Sequence, residues 1–168
     1  TTGRGGGLYF NTYHYHSLNR IVRDCLFYDN YSGHDGGAVG VYENWLAEFT
    51  NCSFVENRTN GPNGGGALFL AAGSSADQAT TAIFTNCVFT GNRSTNGKTD
   101  TLFNHGGKRN FIMTNCHLYD SGNGIRMDSS TYYTEGDEVN NNVPECSGNT
   151  GSNDPADNPL FMDQAGGD

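Results

Sequence analysis

Apolar positions in this chain come in short bursts, and one burst keeps returning. Phe49, Cys52 and Phe54 are followed by a polar run and then by Ala67-Leu68-Phe69-Leu70. Phe84, Cys87 and Phe89 repeat the burst, and fainter copies stand at Val22, Cys25 and Phe27 and at Met113, Cys116 and Leu118. Alternate residues of a strand share a face, so Cys52 and Phe54 point the same way. Phe49 and Cys52 are three apart, and an unbroken strand would put them on opposite faces. If all three are buried, the chain bends between them. Asn51 stands at that place, with Asp24, Asn86 and Asn115 as counterparts. Asn tolerates left-handed backbone, which suits a bend. Asn30, Asn57 and Asn92 predict a second corner column, and stacked Asn side chains can hydrogen-bond along such columns.

The spacing of the burst decides the architecture. Cys25, Cys52, Cys87 and Cys116 are separated by 27, 35 and 29 residues, and a period in this range marks stacked repeats. The pairs Gly36-Gly37 and Gly65-Gly66, with Gly6-Gly7 as a faint echo, open the strands that follow. Gly permits positive φ and close backbone approach. Length varies in the loops 58–64, 71–81 and 93–100, as expected for loops hung on a rigid stack. Arg20 falls where the other copies have Ala47, Ala82 and Phe111, so the first coil is irregular or capped. The fourth Gly pair is reduced to Gly122-Asn123-Gly124, and residues 129–158 read as a polar surface excursion.

Composition narrows the choice. There are 24 Gly and only 16% charged residues, and no helical periodicity is sustained. Helical repeats are thereby disfavoured. No apolar run approaches the length of a membrane span. Nine Lys and Arg face 18 Asp and Glu, an acidic balance that disfavours a nucleic-acid partner. The chain opens without an initiator Met or a leader pattern, which reads as a processed product. Five Cys is an odd count. The recurring four read as a column of buried small hydrophobes, while Cys146 lies outside it and pairs, with Cys116 a conceivable partner, or stays free.

The combination Gly-Gly-Ala-apolar followed by Phe-x-Asn-Cys-x-Phe-x-x-Asn resembles right-handed parallel β-helix proteins of the pectin-lyase-like class. In style it is similar to repeats of bacterial polymorphic outer-membrane proteins. The resemblance covers roughly residues 5–128 and implies an all-β, single-stranded solenoid of about four to five coils, with an irregular C-terminal excursion. The expected division is coils over 1–128 and a loop-rich extension over 129–168. The segment Asp154–Asp168 resembles the closing segment of secreted bacterial β-helix proteins, which implies export to an extracellular or cell-surface place.

Candidate chemistry is thin. A lyase of this class needs a basic residue near carboxylates; Lys108, Arg109 and Arg126 lie near Asp120 and Asp128, but no catalytic constellation recurs. Catalytic residues are therefore none. Tyr42 and Trp45, within an aromatic strip of Tyr9, Tyr28 and Tyr31, suit sugar rings or protein partners. With Lys108, Arg109 and Arg126 they are the candidate binding residues. His14 and His16 share a strand face but lack a third metal ligand. Asp154, Asp157 and Asp163 offer oxygens to calcium without an EF-hand spacing; otherwise no cofactor is implied. Asn30, Asn51, Asn57 and Asn92 each begin an Asn-x-Ser/Thr triplet. The expected function is a non-catalytic extracellular scaffold, adhesive or filament-forming. Its expected partners are a second copy stacked end to end or a cell-surface glycan. A polysaccharide lyase or glycoside hydrolase and a glycan-binding module are the alternatives.

Overall fold

The computed structural model describes residues 3–11, 19–42, 46–71, 80–95, 101–105, 109–119, 124–126, 132–133, 136–142 and 146–151. Its strands fall into successive cycles. The first holds β1 (Leu8–Phe10), β2 (Asn19–Arg23), β3 (Leu26–Tyr28) and β4 (Tyr31–Ser32). The second holds β5 (Val39–Tyr42), β6 (Leu46–Thr50), β7 (Ser53–Val55) and β8 (Arg58–Thr59). The third holds β9 (Leu68–Ala71), β10 (Thr80–Thr85), β11 (Val88–Thr90) and β12 (Arg93–Ser94). Then come β13 (Leu102–His105), β14 (Arg109–Thr114) and β15 (His117–Tyr119). The described elements close with β16 (Ile125–Arg126), β17 (Tyr132–Tyr133) and one short helix, α1 (Gly136–Asn142). The fold is all-β. No helix among the described residues is long and apolar enough to cross a membrane.

Each strand pairs with the same strand of the neighbouring cycle. The sheets run β1-β5-β9-β13-β16-β17, β2-β6-β10-β14, β3-β7-β11-β15 and β4-β8-β12. Every pairing is parallel except β16 with β17. The arrangement is consistent with a solenoid. In-register pairing turns the sequence repeat into side-chain columns. Leu8, Val39, Leu68, Leu102 and Ile125 form one. Phe27, Phe54, Phe89 and Leu118 form another, with stacked rings 4.8 and 4.9 Å apart. Phe49 and Phe84 stack at 5.2 Å and meet Phe54 and Phe89 edge to face. From the second cycle onward these side chains are fully buried, whereas Leu8, Val22 and Phe27 of the first are only partly covered. Stacked burial of this kind is the main stabilising term of the fold.

The bends carry the strain. Asp24, Asn51, Asn86 and Asn115 all sit in the left-handed region, with φ of 53°, 52°, 54° and 52°. Asn51 donates to Asp24 Oδ1 at 3.0 Å and Asn86 to Asn51 Oδ1 at 3.2 Å, so the first corner is an exposed amide ladder. The second corner differs from the expectation. Its left-handed residues are Asp29, Glu56 and Gly91, each one place before the expected Asn. Asn57 and Asn92 instead point inward and are fully buried. The physical reason is backbone accounting: Asn57 Nδ2 donates to the Phe27 carbonyl at 2.8 Å and Asn92 Nδ2 to the Phe54 carbonyl at 2.7 Å. The bend therefore needs its amide inside, and the residue that turns is free to vary.

The paired glycines divide two tasks. Gly36 and Gly65 have φ of 71° and 76°, which L side chains rarely adopt. Gly37 has an ordinary φ, but a Cβ there would strike the Gly66 carbonyl and lie 2.7 Å from the Arg58 carbonyl. In the first cycle Gly5 and Gly6 take these places: Gly5 has φ 70°, and Leu8 registers with Val39. The expected alignment of Gly6-Gly7 with Gly36-Gly37 is thus one residue out, because Gly7 holds the position of Ala38.

The C-terminal part re-enters the stack. Thr114 bridges Ser147 and His117 bridges Thr150, both parallel. Gly148, at φ 65°, replaces the corner Asn, and Asn149 stands where earlier cycles have Cys. Val139 of α1 and Cys146 join the core.

Candidate functional site

Three sets of residues merit attention as chemistry: the cysteine column, the Asn-x-Ser/Thr triplets, and the outer face of the longest sheet. Cys52, Cys87 and Cys116 are each 1% exposed. Each thiol donates weakly to the carbonyl two residues before it and to one in the preceding cycle. For Cys52 these are Thr50 at 3.3 Å and Val22 at 3.7 Å, and for Cys87 they are Thr85 at 3.4 Å and Phe49 at 3.5 Å. Burial first, and then the neighbouring thiols of Cys87 and Cys25, push the Cys52 thiol up to about 11. The contact with Cys116, and then burial, hold the Cys87 thiol protonated well above its usual range. Protonated, buried thiols are poor nucleophiles. All five cysteines are free, so Cys146 is not bridged to Cys116, and only Cys25 is exposed. Cys146 occupies the column of Phe84 and Met113, where its sulfur accepts from the Met113 N–H at 3.1 Å.

The triplets have a structural cause. Residues i and i+2 share a face, so an inward Asn brings an inward Ser or Thr. Ser32, Thr59 and Ser94 form that column and are almost fully buried beside Asn57 and Asn92. The Thr59 hydroxyl donates to the Ser32 carbonyl at 3.2 Å and also to the His34 carbonyl.

The outer face of the β1-β5-β9 sheet carries an aromatic group. Val39 and Val41 face the core, which turns Tyr42 to the other side. There Tyr42 meets Tyr9 at 5.4 Å and Phe69 at 5.5 Å, and the Arg4 guanidinium lies 4.3 Å from its ring centre. Tyr42 is buried, and its hydroxyl has no hydrogen-bond partner among the described residues. Burial raises its pKa, with Arg4 opposing and Asp35 and Tyr9 adding to the rise. Arg126 falls in the same outward column as Phe69 and Gly40. It too is buried, and it donates to the Asn63 carbonyl. Asn63 in turn donates its backbone and side-chain N–H groups to the fully buried Asp35, each at 3.0 Å, and Asp35 holds His34 Nδ1 at 2.8 Å. The chain His34, Asp35, Asn63, Arg126 ties loop 60–64 across several cycles.

Of the expected binding residues, Tyr42 and Arg126 share one sheet face. Arg109 lies in β14, paired with Thr80. Trp45 and Lys108 are outside the described residues, as are His14, His16, Asp120, Asp128, Asp154, Asp157 and Asp163. Arg4, Asp35, Asn63 and Phe69 were not visible as partners in sequence. Their one signal is position: Asp35 and Asn63 stand just before the glycines that reopen the sheet. Among the described residues, no group of three or more His, Cys, Asp or Glu is placed to hold a metal ion. Comparison with protein families, with curated proteins and with solved structures returns no match.

Proposed function

We propose that the chain is a right-handed, single-stranded parallel β-helix of the pectin-lyase-like kind that serves as a non-catalytic extracellular or cell-surface scaffold. One observation carries this reading. The residue types that look most like chemistry, Cys, Asn and the Ser/Thr of the triplets, bond from one cycle to the next. What varies between cycles is the loops, and a scaffold presents its loops to partners.

A second reading rests on a separate observation. Tyr9 is 40% exposed beside Tyr42, and Arg4 lies over the Tyr42 ring. An open aromatic edge next to a cation suits an acidic sugar, so a glycan-binding module without chemistry is the runner-up.

Incubation with pectate, alginate and neutral glycans tests both readings. The scaffold predicts no unsaturated or hydrolysed product. Product formation would overturn it in favour of a lyase or hydrolase. Saturable glycan binding without product, weakened by Tyr9→Ala, would favour the module. Adhesion to cells that survives Tyr9→Ala, but is lost when residues 72–79 and 96–100 are replaced by short Gly-Ser links, would favour the scaffold.

A further inference from the structure

Asp35 is fully buried, and an ionised carboxylate enclosed in this way needs hydrogen bonds to offset its lost hydration. His34 Nδ1, from the same turn, supplies one at 2.8 Å. Two more come from a single residue of loop 60–64. The Asn63 N–H donates to Asp35 Oδ1 and Asn63 Nδ2 to Asp35 Oδ2, each at 3.0 Å. The loop also covers the carboxylate. Gly61 lies so close that a Cβ there would strike the His34 carbonyl and sit 2.6 Å from Asp35 Oδ1. Its φ is ordinary, so glycine serves the close approach rather than the backbone angle.

The loop is attached in two ways. Its stems belong to the framework: the Asn60 N–H donates to the Ser32 carbonyl at 3.3 Å, and the Gly64 carbonyl accepts from the Gly36 N–H at 3.2 Å. Between the stems, side chains hold Gly61-Pro62-Asn63 down. Thr59 Oγ1 accepts from the Gly61 N–H at 3.1 Å, Asp35 accepts from Asn63, and Arg126 donates to the Asn63 carbonyl. Releasing those contacts breaks no strand pairing, so the segment can lift while the columns stay closed.

What lies beside Asp35 gives such an opening a use. The Gly5 N–H donates to the Asp35 carbonyl at 3.1 Å, and Arg4, the residue before it, lies over the Tyr42 ring. After burial and the opposing Arg4, Asp35 is the next influence on the Tyr42 pKa. Asp35 and Tyr42 therefore share one corner of the outer face. The Tyr42 hydroxyl is buried there with no hydrogen-bond partner among the described residues, which is a cost of the closed state. Water or a ligand hydroxyl admitted beside it would remove that cost.

We infer that loop 60–64 is a lid: released from Asp35 and Arg126, it lifts on its stems, uncovers the Asp35 carboxylate beside Tyr42, and leaves the stack folded. The opened corner joins an aromatic ring to a carboxylate. A sugar fits that pair, its apolar face on the ring and its hydroxyls donating to Asp35. The choice of a sugar rests on the glycan-binding reading above, and the lid itself does not.

Native-state hydrogen exchange in low urea, read by NMR, tests the lid without a ligand. Opening of a short loop exposes little surface, so exchange of the Asn63 N–H should be insensitive to urea below the unfolding transition. The Asn57 N–H, bonded to Asn92 Oδ1 inside the stack, should accelerate steeply with urea. Gly61→Ala, whose methyl pushes the loop off His34 and Asp35, should speed Asn63 exchange by about tenfold or more and leave Asn57 unchanged. Asn63 exchange that waits for global unfolding, or that is unaltered by Gly61→Ala, would overturn the lid. Should Gly61→Ala fail to fold, Asn63→Ala removes one Asp35 bond, keeps the amide being followed, and is read by the same outcomes. Xylohexaose, followed by saturation-transfer NMR, should bind more tightly to the opened variant than to the wild type. Equal binding to both would show that the loop does not gate the face. No binding to either, with the exchange result as expected, would remove the sugar and leave the lid.

Discussion

Asn57 gives two N–H groups to one oxygen of Asn92, while its own Oδ1 receives the backbone N–H and Nδ2 of Asn30 at 3.0 and 2.9 Å. The ladder thus joins three consecutive cycles through one buried side chain. Asn92→Ala removes the acceptor for both Asn57 donors and the donor for the Phe54 carbonyl. Buried groups left unpaired cost about 1 to 3 kcal/mol each, so a loss of about 3 kcal/mol is expected in urea unfolding. A loss under about 0.5 kcal/mol, the size of an ordinary surface substitution, would contradict the ladder.

The same burial governs glycosylation. Asn57 and Asn92 are acceptor triplets by sequence, yet both side chains are fully enclosed. Peptide mapping of folded material from an N-glycosylating host should find neither modified. Glycan at either position in protein that keeps its native melting transition would show that the amide is not inside.

Thiol chemistry should separate the five cysteines. Titration of the native protein with an aromatic disulfide reagent should label Cys25 quickly, and the others only after denaturant is added. Equal labelling of Cys52 or Cys87 would refute the buried column. Cys52→Ala should destabilise by about 1 to 2 kcal/mol, from lost packing.

Those thiols also predict the direction of alkaline sensitivity. The Cys52 thiol is raised to about 11 in the folded state, mainly by burial. The unfolded chain releases its proton first, so above the usual thiol range the folded state holds more protons than the unfolded one. Stability is then present in full below that range and falls as pH rises through about 11. Melting temperatures followed upward from pH 8 should decline, with a shallower decline for Cys52→Ala. An unchanged slope in the variant would remove Cys52 from the explanation.

Gly37→Ala should be far worse than its size suggests. The added methyl meets two backbone carbonyls, Gly66 and Arg58, and neither can rotate away. Gly36→Ala meets left-handed strain of about 1 to 2 kcal/mol in addition to a nearby Val39 carbonyl. Both variants should express poorly or melt early. A Gly37→Ala protein melting like the wild type would mean that the coil does not close at this point.

Much of this was legible from residue spacing alone. Phe49, Cys52 and Phe54 cannot share a core without a left-handed step at Asn51, so the first corner follows from parity. The second corner lies one residue before the recurrent Asn, and spacing does not reveal it because its turning residue varies, being Asp29, Glu56 or Gly91. Only the inward Asn recurs there, so the repeat marks the buried amide rather than the bend. The last cycle hid for a related reason. Gly148 and Asn149 satisfy the same backbone demands as Asn115 and Cys116 while sharing neither residue type with them. Of the candidate face, Tyr42 and Arg126 were visible singly. Their shared column was not, because it depends on a register that loops of unequal length conceal.

That inequality has a practical side. Asn30 and Asn57 are 27 residues apart and Asn57 and Asn92 are 35 apart, yet the amides meet at 2.9 and 2.8 Å. The surplus of the longer step includes the stretch between Ala71 and Thr80. There the Thr80 hydroxyl donates to the Ala71 carbonyl at 3.2 Å and clasps the two stems together. A segment held at its base can be lengthened at little entropic cost, about 0.6 kcal/mol for each doubling. The Ala71–Thr80 clasp is therefore a grafting point, where foreign peptide can be carried without disturbing the columns beneath it.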